Sequence, residues 1–514
     1  MEEIRTGKNG MPGEVHREVR RPGAAGKPAK TGRTAERPDV LVVMSDQHCF
    51  MNTGFADRRV DTPELERIAG EGMLFERCYC NAPLCVPSRM SFLTGQLPSD
   101  LGIFNNDSAL PSDMPTIAHE FGRLGYETVL VGRMHFKGDD QRHGFDRRIC
   151  GDVTSQYWGT GGKAREDFGV YAGTTNRLHC TEAAGGGLSP VMIYDEEVKN
   201  RAVEFLDQWE QGERKKPLFL MVGFYGPHFP FVCREDLYRK YQGRFQAEEC
   251  ERDRDIPGLP IYEEYQKECS GDLLRDCRAA YCGLAEQVDG YVGLLYDRFR
   301  EGRRNKDHRF FYLSDHGEQL GRRGIFGKQT LYEHALRVPF VAAGTGIPVG
   351  VCGEPVGLLD VSRTLLSAAG EVKDLSDWHR GRTVDLKSPD LAGHWIRIQQ
   401  MLERGGEKYL AEAAVRGRYK VMRAGEAWYV YDLETDGEET RNLTEVWPER
   451  ARALIREAVE AGCFLEEQEV RRLILQEQKV CDRQKRLKAW GKAARPEEWA
   501  TVRFPPGAVR EPIR

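Results

Sequence analysis

Residues 39–44 read DVLVVM and residues 45–48 read SDQH, so an apolar run gives way abruptly to polar side chains. A short continuous apolar run is typical of a strand that is buried on both faces of a parallel sheet. Three more runs end in polar residues, namely Glu127–Val131 before Arg133 and His135, Pro217–Phe224 before His228, and Phe310–Leu313 before Asp315 and His316. Because the carboxyl ends of parallel strands share one edge, we expect these residues to meet in one site.

Helical patterns separate these strands. They cover Thr62–Glu71, Ser88–Leu93, Met114–Leu124, Asp195–Trp209, Arg278–Arg300 and Val356–Gly370. Such an alternation of strands and helices predicts an α/β fold, with a large, mostly parallel sheet sandwiched by helices. After the last helix the pattern changes, because Tyr419–Met422 and Trp428–Leu433 are short strands separated by a glycine-containing turn. This change predicts a smaller C-terminal α+β subdomain.

These patterns divide the chain into four regions. We expect a disordered tail at residues 1–37, an α/β domain at 38–379, the α+β subdomain at 380–460, and a charged helix with a tail at 461–514. Residues 158–189 are rich in glycine and are expected to form a long loop. The C-terminal helix carries an apolar stripe at Val470, Leu473 and Ile474, which packs either on the body of the chain or on a second copy.

Composition excludes several classes of protein. The 75 lysines and arginines nearly balance the 80 aspartates and glutamates of the 514-residue chain, so no basic surface for nucleic acid is expected. The most apolar stretches fall short of the roughly 20 residues that span a bilayer, and the N-terminal residues lack the apolar core of a signal peptide. Fourteen cysteines without paired CxxC spacing indicate reduced thiols. We therefore expect a cytoplasmic protein without a membrane or nucleic-acid partner.

The acids that follow two of the strands suggest a metal site. Asp46 and Asp315 could each simply cap a helix, and for either one alone that alternative is equally good. Together with Gln47 and His316, however, they form a plausible set of ligands for a divalent cation. Carboxylate and amide oxygens suit Ca²⁺ or Mg²⁺, while the imidazole leaves room for Mn²⁺.

The segment 85–95, CVPSRMSFLTG, carries the most specific pattern in the chain. Pro87 and Ser88 favour the first turn of a helix, so we expect Cys85 just before a helix N-terminus, where backbone N–H groups favour an anion. Arg89 adds a planar fork of donors for a tetrahedral oxyanion. The segment therefore predicts an anion-binding site with Cys85 at its centre.

This segment resembles the sulfatase signature C-x-P-S-R-x-x-x-L-T-G, and the chain is identified as a member of the sulfatase family in the alkaline-phosphatase superfamily. Residues 125–135 are similar to the second signature GYxTxxxGKxH, with Arg133 in place of the lysine. Residues 226–230, 314–317, 327–339 and 431–443 resemble later family motifs, although Gly437 replaces a usual proline. The variants SDQ, GRMHF, DQRHGF at 140–145 and SDHG resemble the choline-sulfatase and phosphonate-monoester-hydrolase branch.

The resemblance implies that a maturation enzyme converts Cys85 to Cα-formylglycine. The aldehyde would hydrate to a diol, one hydroxyl would attack the sulfur of a small sulfate monoester, and the second would expel sulfate. Residues 38–379 would then form the catalytic domain. Two alternatives remain: the same diol could hydrolyse a phosphonate monoester or phosphodiester, or the chain could be a non-catalytic binding protein with an unconverted Cys85.

The resemblance also implies roles for individual residues. The implied metal ligands, for Ca²⁺ before Mn²⁺ or Mg²⁺, are Asp46, Gln47, Asp315, His316 and residue 85. The implied catalytic and substrate-binding roles are holding the hydrate (Arg89), accepting a diol proton (His135), protonating the leaving alcohol (His228 and Lys328), clamping sulfate (Arg133 and Lys328) and contacting substrate (Asn106, with Asn105 nearly as favoured). Arg322 and Arg323, in contrast, are expected at the surface.

Overall fold

A computed structural model describes most of the chain. The described residues are 37–154, 184–213, 216–302, 307–369, 381, 383–386, 389, 391 and 393–490. The predicted tail at 1–37 therefore lies outside the described residues except for Arg37, as do most of the loop at 158–189, the boundary at 379/380 and the end of the chain after residue 490.

Fifteen strands form three sheets in the described residues. They are β1 (Asp39–Asp46), β2 (Met73–Tyr79), β3 (Glu127–Gly132), β4 (Arg147–Ile149), β5 (Gly185–Gly186), β6 (Leu218–Pro227), β7 (Val232–Cys233), β8 (His308–Ser314), β9 (Arg337–Gly344), β10 (Gly350–Cys352), β11 (Val356–Gly357), β12 (Ile396–Arg404), β13 (Glu407–Arg416), β14 (Tyr419–Ala424) and β15 (Ala427–Asp432). The main sheet has the order β10-β2-β9-β8-β1-β6-β3-β4, with β11 beside β2. Only β9 runs antiparallel to its neighbours in this sheet, so the predicted mostly parallel sheet is confirmed.

Thirteen α-helices accompany these strands in the described ranges. They are α1 (Pro63–Gly70), α2 (Cys85–Thr94), α3 (Pro98–Leu101), α4 (Ile117–Arg123), α5 (Pro190–Gln211), α6 (Glu235–Gln242), α7 (Ala247–Arg254), α8 (Gly271–Glu301), α9 (Glu333–Leu336), α10 (Leu358–Ala368), α11 (Leu443–Val446), α12 (Pro448–Glu460) and α13 (Glu467–Trp490). The short segments Phe50–Asn52, Pro260–Tyr265 and Arg322–Gly324 form 3₁₀ turns.

Strand β1 shows why this sheet needs helices on both faces. Its side chains alternate, so Val40, Val42 and Met44 join the core under α2, α4 and α10. Leu41 and Val43 point the other way, into the core under α1, α5 and α8. Every residue of β1 is buried, as the continuous apolar run predicts.

The C-terminal part is a small antiparallel sheet, which confirms the predicted subdomain. Strands β12 to β15 pair in chain order. One face of this sheet packs on α12 through Leu454 and Ala458, while the other joins the main core through Ala413, Val415 and Met422. The two sheets therefore share one continuous hydrophobic core.

Helix α13 packs on the body of its own chain, which was one of the two predicted alternatives. Leu473 contacts a small cluster with Phe104 and Leu410. The Asn105 amide donates to Glu477 Oε1 at 2.6 Å. This helix therefore covers the loop that contains the two predicted asparagines.

Several sequence-based expectations differ from the structure. The predicted helix at Val356–Gly370 begins with a two-residue strand, because Val356 and Gly357 pair with β2. Arg323 was expected at the surface but is buried, with its guanidinium 4.1 Å from the centre of the Tyr332 ring.

None of the helices in the described ranges is both long and apolar enough to cross a bilayer.

Candidate active site

Four neighbouring strands deliver the predicted polar residues to one edge of the sheet. The strands β8, β1, β6 and β3 are adjacent, and at their carboxyl ends lie Asp315 with His316, Asp46, His228, and Arg133 with His135. These side chains are between 0 and 6% exposed. Buried charges are stable only when they are paired or bind an ion, so the contacts of this group define what it can do.

Helix α2 places Cys85 in this group. Cys85 is the first residue of the helix, one position further into it than predicted. The Val86 N–H donates to Asn106 Oδ1 at 2.9 Å, and the Ser88 hydroxyl donates to the Asp315 carbonyl at 2.5 Å. The buried first turn of α2 is thus fixed both to the loop at residue 106 and to the end of β8.

Arg89 joins the two predicted metal-binding acids. Its Nε donates to Asp315 Oδ2 at 2.8 Å and its Nη2 donates to Asp46 Oδ2 at 3.2 Å. All three side chains are fully buried. A guanidinium shared between two carboxylates holds them close together despite their mutual repulsion.

The donor atoms of Asp46, Cys85, Asp315 and His316 lie within 4.8 Å of one another. The Nδ1 of His316 lies 3.1 Å from the Gly317 carbonyl, which can only accept, so Nδ1 carries the proton and Nε2 has the lone pair. This Nε2 lies 3.2 Å from Cys85 Sγ and 3.6 Å from Asp315 Oδ2. Two carboxylates and a pre-oriented imidazole are a donor set that fits a divalent cation.

Gln47 is held in one orientation beside this donor set. Its backbone has φ of 68° and its N–H donates to Asp315 Oδ1 at 3.0 Å. The side-chain amide donates to Glu318, and its oxygen accepts from Lys328. The predicted ligand oxygen therefore already has a partner in the described geometry.

Lys328 and His228 form a second pair. The Lys328 Nζ lies 2.8 Å from His228 Nε2, and His228 Nδ1 lies 2.8 Å from the Phe229 carbonyl. Because the carbonyl only accepts and the ammonium only donates, His228 is neutral, with its proton on Nδ1. Burial and the Lys328 charge lower the pKa of His228 well below its usual value. Lys328 is therefore the member of this pair with a proton to give.

Arg133 uses most of its donors within the protein. Its Nε donates to Asp46, its Nη1 donates to Asp152 and Thr154, and its Nη2 donates to His135 Nδ1 at 3.0 Å. A guanidinium has five N–H groups, so these contacts leave one for a substrate. The predicted contact of Arg133 with sulfate therefore depends on this one N–H group.

The two asparagines have separate partners. Asn106 was predicted to contact substrate, and its Oδ1 accepts from the first turn of α2. Asn105 instead binds Glu477 of α13. Asn106 therefore borders Cys85, whereas Asn105 faces the C-terminal helix.

Two acids of this region were missed by sequence reasoning. Asp152 binds Arg133, and Glu318 binds Gln47 while its Oε1 accepts from Gly327 at 2.6 Å. Each is a single acid in a loop, with no periodicity or motif to mark it. The only available signal was its nearness in sequence to β4 or to His316.

The electrostatics differ between the acid and the thiol. Burial disfavours the charge of Asp46, but the charges of Arg133, Arg89 and Lys328 outweigh it and hold the pKa of that carboxyl well below its usual value. Burial and the Asp46 charge raise the pKa of the Cys85 thiol to about 11. The encoded thiol is therefore protonated at neutral pH and is a weak nucleophile.

Comparisons with known proteins agree with this geometry. Among solved structures, the phosphonate monoester hydrolase of Agrobacterium radiobacter superposes with a TM-score of 0.66 at 18% identity, covering 82% of this chain and 95% of that one. This likeness shows that the two chains share one fold, a large and mostly parallel sheet between helices with a small antiparallel sheet.

Sequence comparison then identifies the family. A sequence profile of the family named Sulfatase matches residues 38–371. The choline-sulfatase of Rhizobium meliloti (strain 1021) is 31% identical over 437 residues, which are 80% of this chain and 83% of that protein. The arylsulfatase of Clostridium perfringens (strain 13 / Type A) is 27% identical over 377 residues, 65% of this chain and 75% of that protein. The chain therefore belongs to the sulfatase family and is a sulfuric ester hydrolase.

Proposed function

We propose that the protein hydrolyses a sulfate monoester to an alcohol and inorganic sulfate, using formylglycine made from Cys85 and one divalent cation. The observation that carries this proposal is the position of Cys85 at the N-terminus of α2. Its Sγ lies 3.2 Å from His316 Nε2 and 3.8 Å from Asp46 Oδ1. The residue to be converted thus lies among the atoms that would hold the cation.

The donor set supports a cation held by Asp46, Asp315 and His316, for which we propose Ca²⁺ before Mn²⁺ or Mg²⁺. When bound, the cation and the hydrated aldehyde would supply neutralising charge and an oxygen nucleophile. The chain's contribution is to fix the acids through Arg89 and to orient the imidazole through the Gly317 carbonyl.

Lys328 and His228 would serve the leaving alcohol. Lys328 carries a proton and contacts both His228 and Gln47, so it can donate to the departing oxygen while His228 Nε2 keeps it oriented. On the opposite side of Asp46, Arg133 adds positive charge for the sulfate and His135 contributes an imidazole N–H.

The proposal includes partners and a location. A small sulfated molecule would be the substrate, and a formylglycine-generating enzyme would act on Cys85, in the cytosol. No disulfide joins any two of the described cysteines, which supports a reducing compartment. A second copy of the chain could still associate through α13, whose Leu475 is exposed.

The direct test is turnover of 4-nitrophenyl sulfate and phenyl phosphonate side by side, with the purified enzyme and added Ca²⁺ or Mn²⁺. A sulfatase should prefer the sulfate ester in kcat/KM by at least tenfold. Preference for the phosphonate would favour the alternative hydrolase. No turnover of either substrate by enzyme that contains formylglycine would contradict the proposal.

A further inference from the structure

Asp152 lies three residues beyond the end of β4 and binds each of residues 133–135, which follow β3. Its Oδ1 accepts from Arg133 Nη1 at 2.8 Å and from the Thr154 N–H at 3.0 Å. Its Oδ2 accepts from the His135 N–H at 2.6 Å and the Met134 N–H at 3.1 Å. The carboxylate is 1% exposed, so all of these bonds form away from water.

The backbone of His135 depends on these bonds. Its φ of 63° lies in the left-handed region, which is unfavourable for a residue with a side chain. Two consecutive backbone N–H groups, at residues 134 and 135, bind the same carboxylate oxygen. Asp152 therefore stabilises the turn that directs the imidazole of His135 into the site.

Arg133 connects Asp152 to the ring of the same histidine. One edge of its guanidinium binds Asp152, its Nε binds Asp46, and its Nη2 lies 3.0 Å from His135 Nδ1. Arginine only donates, so Nδ1 must accept and the neutral ring carries its proton on Nε2. In this arrangement His135 offers a hydrogen-bond donor, and its one lone pair is already used.

We propose that Asp152 is a positioning residue, which acts through Arg133 and through the backbone of His135 to hold the His135 ring as an Nε2–H donor in the active site. The inference rests on the proposed function for its effect on turnover. It also changes the expected role of His135, because a ring held in this way stabilises negative charge on an oxygen instead of accepting a proton from it.

A purely structural role for Asp152 is the competing explanation, and the chain contains a matched control. Asp289 is also a buried acid that accepts from two consecutive backbone N–H groups, those of Glu64 at 2.9 Å and Leu65 at 2.8 Å. It lies on α8, supports the start of α1 and contacts neither Arg133 nor the turn at His135. Replacing Asp289 by Asn tests what the loss of such an acid does to stability alone.

The kinetic test uses formylglycine-containing, metal-loaded enzyme. Asp152→Asn should lower kcat for 4-nitrophenyl sulfate by about 100-fold with little change in KM. The same substitution in an Arg133→Met background should lower kcat by less than it does in the wild-type background, because only the route through the backbone of His135 is left. Asp289→Asn should lower the melting temperature and leave kcat unchanged. Full additivity of the two site substitutions, or a kcat of Asp152→Asn within threefold of wild type, would overturn the proposal.

A second measurement does not depend on turnover. Ring-nitrogen NMR of histidine-labelled protein should show His135 with Nδ1 as acceptor and Nε2 protonated, its signals being assigned by their absence in His135→Gln. Asp152→Asn should change this pattern. Thr154→Val, which removes a hydroxyl that donates to Asp152 Oδ1 at 2.8 Å, should change it less and serves if the Asn variant does not fold. An unchanged pattern in a folded Asp152 or Thr154 variant would overturn the proposal even if the wild type proves inactive on sulfate esters.

Discussion

The protein contains two fully buried groups of charges that differ in one respect. The strand-end cluster consists of Asp46, Arg89, Arg133 and Asp315. The Lys420 cluster joins the small sheet to α9 and consists of Lys420, Glu333 and Glu439. Both have been removed from water, at a similar cost in desolvation.

The charged groups of the Lys420 cluster bind one another. Its ammonium donates to the Leu331 carbonyl and to Glu333 Oε1, both at 2.9 Å, and forms an ion pair with Glu439, whose Oε1 lies 2.5 Å away. The second oxygen of Glu439 accepts from the Glu333 N–H at 2.8 Å. The lysine is thus held between two acids of another part of the chain, so this cluster fixes the position of the small sheet.

The strand-end cluster lies beside groups that can bind a ligand. Here the Nε2 of His316, a thiol at the start of a helix and oxygens of two acids converge on one volume. The proposed conversion of the thiol would free the Nε2 lone pair, which now lies 3.2 Å from Sγ. Buried charge alone therefore does not identify an active site. An active site is identified by converging groups that can still bind a ligand.

The largest effect should come from residue 85. Cys85→Ala should reduce sulfate-ester turnover by about 10⁴-fold or to background, because the proposed nucleophile is gone. Its melting temperature should stay close to that of wild type, since the side chain is small. The buried Cys463→Ala, in the loop after α12, is the control and should retain turnover. Activity of Cys85→Ala close to wild type would refute the mechanism.

Removing one acid from the strand-end cluster should lower the amount of bound metal. Asp315→Ala deletes a proposed ligand and a partner of Arg89, so bound metal and turnover should fall together, turnover on the order of 100-fold. Metal content by mass spectrometry and kcat on the same preparation check this. Full metal stoichiometry in the variant would count against the assigned ligands.

The Lys328–His228 pair predicts an effect that depends on substrate. His228→Ala should slow an alkyl sulfate by about 100-fold but 4-nitrophenyl sulfate by less than tenfold, because only the poor leaving group needs a proton. The ratio of the two kcat/KM losses is the readout. Equal losses on both substrates would remove the leaving-group role of this pair.

The Lys420 cluster should give the smallest change in turnover. Lys420→Met leaves two buried acids unpaired and should lower the free energy of unfolding by roughly 3–5 kcal/mol. Metal content and kcat of the folded protein should remain within about twofold of wild type. Lys199→Met, at a partly exposed pair with Glu196, should change stability by less than about 1 kcal/mol. Loss of metal in Lys420→Met would contradict the claim that only the strand-end cluster takes part in metal binding.

Sequence reasoning identified the parts of the site that follow strands. The continuous apolar run of β1 and its polar end placed Asp46, and the same pattern placed Asp315, because strand ends are marked by a change in hydropathy. It could not reveal Asp152 or Glu318, whose roles arise from loop geometry. It also could not show that most N–H groups of Arg133 donate to other residues of the protein.

The same limit applies to Lys420. In the sequence Lys420 is one lysine in a short strand. Its acidic partners lie in other elements, Glu333 on α9, 87 residues away, and Glu439 in the loop before α11. Contacts of this kind depend on how the two sheets pack, which no local pattern records. The small sheet itself was predictable because its turns are local.

The central claim is that Cys85 becomes an aldehyde among the metal donors. Mass spectrometry of the peptide that contains residue 85, from enzyme produced together with a formylglycine-generating enzyme, tests it most directly. The account predicts a peptide that has lost its sulfur and reacts with hydrazide reagents, in a fraction that scales with sulfate-ester turnover. A fully intact cysteine in enzyme that turns over sulfate esters would contradict it.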